Sequence, residues 1–352
     1  MSYKVMVVDD SAFMRKIITD IISEDENLEV IETAKNGREA IKKIQEVKPD
    51  LITLDVEMPI MNGIETLEEL HKINLNIPVL MLSSLTKAGA DLTIKAFEMG
   101  AIDFIAKPSS IFSLNKERNK EQITAKINSI ISSKGISNTN INTKSIVHTK
   151  KYSTDTTSDI RIKNIIAIGC STGGPRALQA IIPKLPYNIN STLVVVQHMP
   201  PGFTKSLSER LNKISTITVK EAEDGEVMKN SACYIAPGDK HLLITENKGN
   251  LKIKLSDGIN VNGHKPSVDI LMNSVHELSN INKIGIILTG MGSDGSEGIK
   301  KLHDSGNYTI GQNEKTCVVY GMPKSANAIG GIDKELNLDD IASEIKGRVG
   351  CI

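Results

Sequence analysis

The chain has 352 residues, enough for two domains that each bury a sizeable core. Lys plus Arg and Asp plus Glu balance at 42 each, so no net field draws it to nucleic acid or to an anionic membrane. Cys170, Cys233, Cys317 and Cys351 are scattered without a C-x-x-C pair, which argues against a disulfide framework or a zinc ribbon and suits a reducing compartment.

Asp9 and Asp10 follow the start too soon for a signal peptide, and no apolar run approaches the roughly 18 residues of a membrane span. A soluble, cytoplasmic protein without membrane insertion is expected. Short apolar runs then fall at Lys4–Val8, Leu28–Thr33, Leu51–Leu54, Pro78–Leu82 and Ile102–Ile105. Amphipathic stretches such as Met14–Ile22, Arg38–Val47 and Glu65–Ile73 separate them. This β-α alternation predicts a parallel sheet with helices on both faces over residues 1–131.

The expected strand ends carry Asp9 and Asp10, then Asp55, then Ser83, then Lys107. Three carboxylates on one edge repel each other unless a cation sits among them, and an all-oxygen donor set suits Mg²⁺. Lys107 can balance an arriving phosphoryl group, and the Ser83 hydroxyl can donate to it. Any one aspartate could merely cap a helix; the set in this order is harder to obtain by chance.

The stretches Val7-Val8-Asp9-Asp10-Ser11, Leu54-Asp55-Val56-Glu57-Met58-Pro59, Met81-Leu82-Ser83-Ser84 and Phe104-Ile105-Ala106-Lys107-Pro108 resemble a two-component response-regulator receiver domain. The resemblance implies a flavodoxin-like (βα)5 fold and phosphorylation of Asp55 by a histidine kinase. It also implies Mg²⁺ on Asp10 and Asp55 with Asp9 nearby, Ser83 as the hydroxyl that reports phosphorylation, and Phe104 as the switch aromatic.

From 132 to 160 the chain is dominated by Ser, Thr, Asn and Lys, with too little apolar surface to bury, and reads as a flexible linker. Apolar runs resume at Ile162, so a second domain is expected over 161–352. It begins as alternating α/β. Its middle, with Thr216–Lys220, Cys233–Ala236, His241–Thr245 and Leu251–Leu255, reads as a hairpin-rich insertion ahead of a helix at Ser267–Leu278 and a strand at Ile284–Leu288.

Three apolar runs of this domain end on reactive residues: Ile165–Gly169 on Cys170-Ser171, Leu193–Val196 on Gln197-His198, and Ile284–Gly290 ahead of Asp294. On neighbouring parallel strands they would bring a serine, a histidine and an aspartate to the carboxyl edge, where open α/β sheets bind ligands. Those residue types make an acyl-transfer triad. Ser171 lies in a glycine-bearing turn before a helix, whose N-terminal N–H groups can stabilise an oxyanion. Cys170 beside it is a rival nucleophile; Ser171, one residue further into the turn, is favoured. A dinucleotide loop is disfavoured because Gly169-x-x-x-Gly173-Gly174 has the wrong spacing. A DNA-binding regulator is disfavoured because no helix-turn-helix pattern or basic patch follows the linker. A degraded effector that only binds receptors or kinase is the remaining rival.

Ile168-Gly169-Cys170-Ser171-Thr172-Gly173-Gly174-Pro175, Gln197-His198-Met199-Pro200-Pro201-Gly202, Ala236-Pro237-Gly238-Asp239, His264-Lys265-Pro266-Ser267-Val268-Asp269, Leu288-Thr289-Gly290-Met291-Gly292-Ser293-Asp294-Gly295 and Tyr320-Gly321-Met322-Pro323 resemble the chemotaxis protein-glutamate methylesterases of the CheB family. The resemblance spans nearly the whole chain. It implies a Ser171, His198 and Asp294 triad, with Thr172 and Met291 in the oxyanion environment. The implied reaction is hydrolysis of glutamate γ-methyl esters on chemoreceptors, releasing methanol, with deamidation of selected glutamines and no cofactor for the hydrolysis. The order of receiver, polar linker and hydrolase also leads to the expectation that the receiver blocks the cleft around Ser171 until Asp55 is phosphorylated. Cys170 departs from the family's usual alanine.

Overall fold

The structure is a computed structural model that describes residues 2–107, 117–133, 162–247 and 249–352. Two compact units divide between Thr139 and Asn140. The predicted linker, 132–160, lies outside the described residues apart from its first two.

The first unit runs β1 (Tyr3–Val8), α1 (Ala12–Ser23), β2 (Leu28–Ala34), α2 (Gly37–Val47), β3 (Leu51–Asp55), α3 (Gly63–Lys72), β4 (Val79–Ser83), α4 (Lys87–Glu98), β5 (Asp103–Ala106) and α5 (Glu117–Ser132). Its sheet has the order β2-β1-β3-β4-β5 with every pairing parallel, the flavodoxin-like arrangement. Strands β3 and β4 are buried along their whole length, which is why they read as unbroken apolar runs rather than alternating ones. Ser11, Asn36, Asn62 and Thr86 each accept a backbone N–H as N-caps of α1 to α4, so every helix begins just past the carboxyl edge of the sheet. The strand order reverses between β1 and β3, and Asp9, Asp10 and Asp55 sit at that switch point.

The second unit runs β6 (Asn164–Cys170), α6 (Gly174–Ile181), β7 (Thr192–Gln197), α7 (Phe203–Ile214), β8 (Thr218–Glu221), β9 (Ala232–Ile235), β10 (His241–Asn247), β11 (Asn250–Ser256), α8 (Val268–His276), β12 (Asn282–Ile287), α9 (Ser296–Asp304), β13 (Tyr308–Gln312), α10 (Met322–Ala328), β14 (Lys334–Leu336) and α11 (Leu338–Val349). Seven parallel strands form one sheet in the order β14-β13-β12-β6-β7-β9-β8. From β6 the chain builds β7, β9 and β8 on one side and β12, β13 and β14 on the other, so β6 lies at the switch point, flanked by β12 and β7. Strands β6 and β7 are wholly buried.

The insertion differs from the sequence reading. Among the described residues only β10 and β11 form a hairpin, with all seven residues of each in antiparallel register. Strands β8 and β9 are parallel members of the main sheet. The connection 222–231 is too long for a tight hairpin turn and carries the chain back to the same end of the sheet. Both strands are too short for periodicity alone to distinguish the two arrangements.

Candidate functional sites

At the carboxyl edge of the first sheet, carboxylate oxygens of Asp9, Asp10 and Asp55 all lie within 4.8 Å of one another. Asp9 and Asp55 are buried and Asp10 is exposed. The Lys107 ammonium is 2.7 Å from Asp9 Oδ2 and 2.7 Å from Asp55 Oδ2, and its backbone N–H donates to the Ser83 carbonyl. Burial pushes the Asp55 carboxyl up to about 6; Lys107 opposes this and the charge of Asp9 adds to it. Burial also works against the charge of Lys107, but the Asp55 and Asp9 carboxylates outweigh it and leave its affinity for a proton raised. One ammonium among three carboxylates leaves the cluster short of positive charge. An oxygen-only set of this kind fits Mg²⁺.

The Ser83 hydroxyl donates to the Gly89 carbonyl (3.1 Å) and the Ser84 carbonyl (3.3 Å), so it points at the first turn of α4 rather than at Asp55. Phe104 is buried, edge-on to Phe97 at 6.2 Å between ring centroids.

In the second unit, β6 delivers Ser171, β7 delivers His198, and the loop after β12 delivers Asp294. Cys170 pairs in register with Gln197, and the His198 backbone N–H donates to the Cys170 carbonyl at 3.1 Å, so Ser171 and His198 leave the sheet side by side. Gly173, at φ 79°, turns the chain into α6, whose N-terminus has Pro175 in its first turn and no side-chain cap. The Gln197 amide donates to the Ser171 and His198 carbonyls (3.0 and 3.1 Å) and holds the two turns together. Gly290 permits the approach of the third: a methyl group there would overlap Met322 Sδ and come within 2.9 Å of Ser171 Cβ.

Asp294 and His198 form a hydrogen bond, Oδ2 to Nε2, of 2.8 Å. Asp294 also accepts from Ser267 Oγ (2.8 Å) and from the backbone N–H groups of Val268 (2.7 Å) and Asp269 (3.2 Å). Burial alone would raise its proton affinity. The His198 hydrogen bond and charge, with the Val268 and Ser267 donors, instead hold the carboxyl down at about 2. Next to it, burial and the Asp294 charge raise the Asp269 carboxyl, against the pull of the Gly298 N–H. His198 Nδ1 is buried with no hydrogen-bond partner, so Ser171 is brought next to His198 but not into a hydrogen bond with it. The rings of His198 and His264 stack, centroids 3.8 Å apart and planes 6° from parallel.

Thr172 is buried, its carbonyl accepting from Thr289 Oγ1 at 2.9 Å, while Met291 is partly exposed on the loop toward Asp294. The Cys170 side chain is fully buried on the other side of the turn, its Sγ 3.0 Å from Gln197 Oε1, and burial raises the thiol far above its ordinary value. A thiol so placed has neither the thiolate character nor the exposure of a nucleophile.

Sequence reasoning assigned no role to Ser267 or Asp269, which hold Asp294, to Gln197, which ties the serine and histidine turns together, or to His264, whose ring stacks on that of His198. The predicted helix at Ser267–Leu278 starts one residue early: Ser267 is the N-cap of α8, its hydroxyl accepting the Ile270 N–H. Nothing in the spacing announces that its hydroxyl also binds Asp294.

The sequence profile described as CheB methylesterase matches residues 166–345, and that described as response regulator receiver domain matches residues 5–118. The protein-glutamate methylesterase/protein-glutamine glutaminase of Bacillus subtilis is 47% identical over 352 residues, covering 98% of each chain. The protein of that name from Pyrococcus horikoshii is 42% identical over 99% of this chain and 94% of its own. Among solved structures, the Thermotoga maritima CheB methylesterase catalytic domain is 45% identical and covers 53% of this chain and 98% of its own, with a TM-score of 0.51. Matched on both units and along almost its whole length, the chain belongs to the CheB methylesterase family, with a response-regulator receiver domain ahead of the methylesterase domain.

Proposed function

We propose that the protein is a phosphorylation-activated hydrolase of chemotactic adaptation. It removes methyl groups from glutamate γ-methyl esters of chemoreceptors and deamidates receptor glutamines, through Ser171, His198 and Asp294. The receiver occupies 1–131, the linker 132–160 and the methylesterase 161–352. The observation that carries the reading is the His198–Asp294 pair, 2.8 Å long, set beside a serine on the neighbouring strand end in a chain of this family.

Asp294 takes the Nε2–H of His198, so Nδ1 is the nitrogen left bare to act as base. Ser171 Oγ attacks the ester carbonyl while Nδ1 accepts its proton, and the carbonyl oxygen becomes an oxyanion facing the first turn of α6 and the backbone at Thr172 and Met291. Collapse breaks the bond to the methoxyl group, and Nδ1 returns the proton so that methanol leaves. Water then attacks the acyl-enzyme with Nδ1 again as base, releasing the free glutamate and Ser171. For a glutamine substrate the first leaving group is ammonia. Asp294 keeps its negative charge throughout and stabilises the imidazolium.

In the receiver, Asp55 accepts a phosphoryl group from the histidine kinase. Asp9, Asp10 and Asp55 would hold Mg²⁺, which would neutralise charge on the carboxylates and the phosphoryl oxygens. Lys107 leaves its pairing with Asp55 to meet the new phosphoryl oxygens, and Ser83 must turn away from Gly89 to donate to them. Methanol release from methylated receptor membranes tests both halves: a phosphodonor should stimulate wild type and leave Asp55→Asn at its basal rate. Equal stimulation of both would remove Asp55 from the account.

A further inference from the structure

The segment 261–269, between the β10–β11 hairpin and α8, touches both His198 and Asp294. Val261-Asn262-Gly263-His264 is a closed turn, with each of Val261 and His264 donating its N–H to the other's carbonyl at 3.0 and 2.9 Å. Asn262 and Gly263 both have positive φ, 50° and 81°, the rigid two-residue turn that Asn-Gly favours. The turn lays the His264 ring flat on that of His198. Asn262 Nδ2 ties the turn to Asp269 Oδ2 at 3.1 Å, and the Asp269 N–H in turn donates to Asp294 Oδ1. His241, buried, pins the segment further: its Nδ1 accepts from the Ser267 N–H at 3.2 Å and its Nε2 bonds the Ile259 carbonyl at 2.8 Å. Hydrogen bonds therefore run from the turn to Asp294 and on to His198, and the ring stack closes the circuit back to the turn.

His198 needs that second constraint. Its ring has one hydrogen bond, at Nε2, with Nδ1 unpartnered. A single bond to Asp294 leaves the imidazole free to rock about the line through Nε2, and rocking changes where Nδ1 points relative to Ser171. We infer that His264 is a positioning residue of the hydrolysis, its stacked ring fixing the plane in which His198 exchanges the proton with Ser171. The inference rests on the Ser171–His198–Asp294 reading and deepens it. The stacking contact itself calls for a flat ring.

The test is steady-state methanol release by the full-length protein, with phosphodonor and Mg²⁺, in His264→Ala, His264→Leu and His264→Phe, beside Ser171→Ala. Loss of ring alignment should lower kcat by about 10- to 100-fold in the Ala and Leu variants with KM unchanged, because misplacement of a reacting group by about an ångström costs that much. His264→Phe should recover most of the rate. The ring-current shift of the His198 Hε1 proton should vanish in the Ala and Leu variants and return with Phe. Wild-type kcat in His264→Ala, or a His264→Phe as slow as His264→Ala, would overturn the inference while an inactive Ser171→Ala left the triad standing. Undiminished release by Ser171→Ala would instead bring down the triad reading, and the inference with it.

Discussion

Asp294→Asn is the most demanding test of how the site is wired, because the substitution keeps shape while replacing one acceptor by a donor and removing the charge. Asp294 Oδ2 accepts from His198 Nε2 and the Val268 N–H; Oδ1 accepts from the Ser267 hydroxyl and the Asp269 N–H. An asparagine NH₂ placed at Oδ2 faces the Val268 donor and forces His198 to present a bare Nε2, which moves the ring proton to Nδ1. Nδ1 can then no longer take the proton of Ser171. Placed at Oδ1, the NH₂ faces the Asp269 N–H, and only the Ser267 hydroxyl can rotate to accept from it. Either way the charge that stabilises the imidazolium is gone. Inverting the tautomer of a triad histidine costs about 10⁴ in kcat, equivalent to about 5 kcal/mol of transition-state stabilisation. The assay is kcat for methanol release with phosphodonor, alongside a thermal melt to establish that the fold survives. A well-folded Asp294→Asn within about tenfold of wild type would refute the wiring, since a charge-assisted hydrogen bond removed without a tautomer change accounts for that much.

Three further predictions follow from the same geometry. Cys170→Ala should keep kcat within a few-fold and lower stability by about 1 kcal/mol, through the lost Gln197 contact and a small void; a loss as deep as that of Ser171→Ala would make the thiol the nucleophile. Gly290→Ala should fold yet lose at least about 10²-fold in kcat, because the added methyl meets Met322 and Ser171 Cβ; an unchanged rate would mean the loop can retreat from Ser171. Asp55 binds its proton more tightly in the folded chain, at about 6 against 3.8, so its contribution favours folding below about pH 4 and is lost as pH rises through 6. Asp55→Asn, lacking that ionisation, should therefore protect the β1 and β3 amides against hydrogen exchange by up to about 3 kcal/mol more than wild type at pH 8 without Mg²⁺. The difference should shrink as the pH is lowered toward 4, and a pH-independent difference would contradict the sign.

Much of the architecture was legible because both sheets are covered on both faces. Buried parallel strands such as β6 and β3 appear as largely apolar runs without alternation, and each leads to a residue that chemistry can use, Ser171 after the first and Asp55 at the end of the second. The switch points follow from that alternation, which is why Asp9, Asp55, Ser171 and His198 could be placed from sequence. What could not be read depends on tertiary approach. The short β8 and β9 join the main sheet rather than a hairpin because of where the chain between them returns. Ser83 faces Gly89 because the first turn of α4 brings that carbonyl within reach of its hydroxyl. That Asp294 pairs with Nε2 rather than Nδ1, and that an Asn-Gly turn lays His264 over the ring, are consequences of contacts between segments far apart in sequence.

The measurement closest to the central claim is methanol release from methylated receptor membranes by the full-length protein, with and without a small-molecule phosphodonor and Mg²⁺. The panel is wild type, Ser171→Ala and Asp55→Asn. The account predicts that release is abolished in Ser171→Ala, and that the phosphodonor stimulates it in wild type but not in Asp55→Asn. Release that survives in Ser171→Ala, or a wild type silent under every condition, would contradict it.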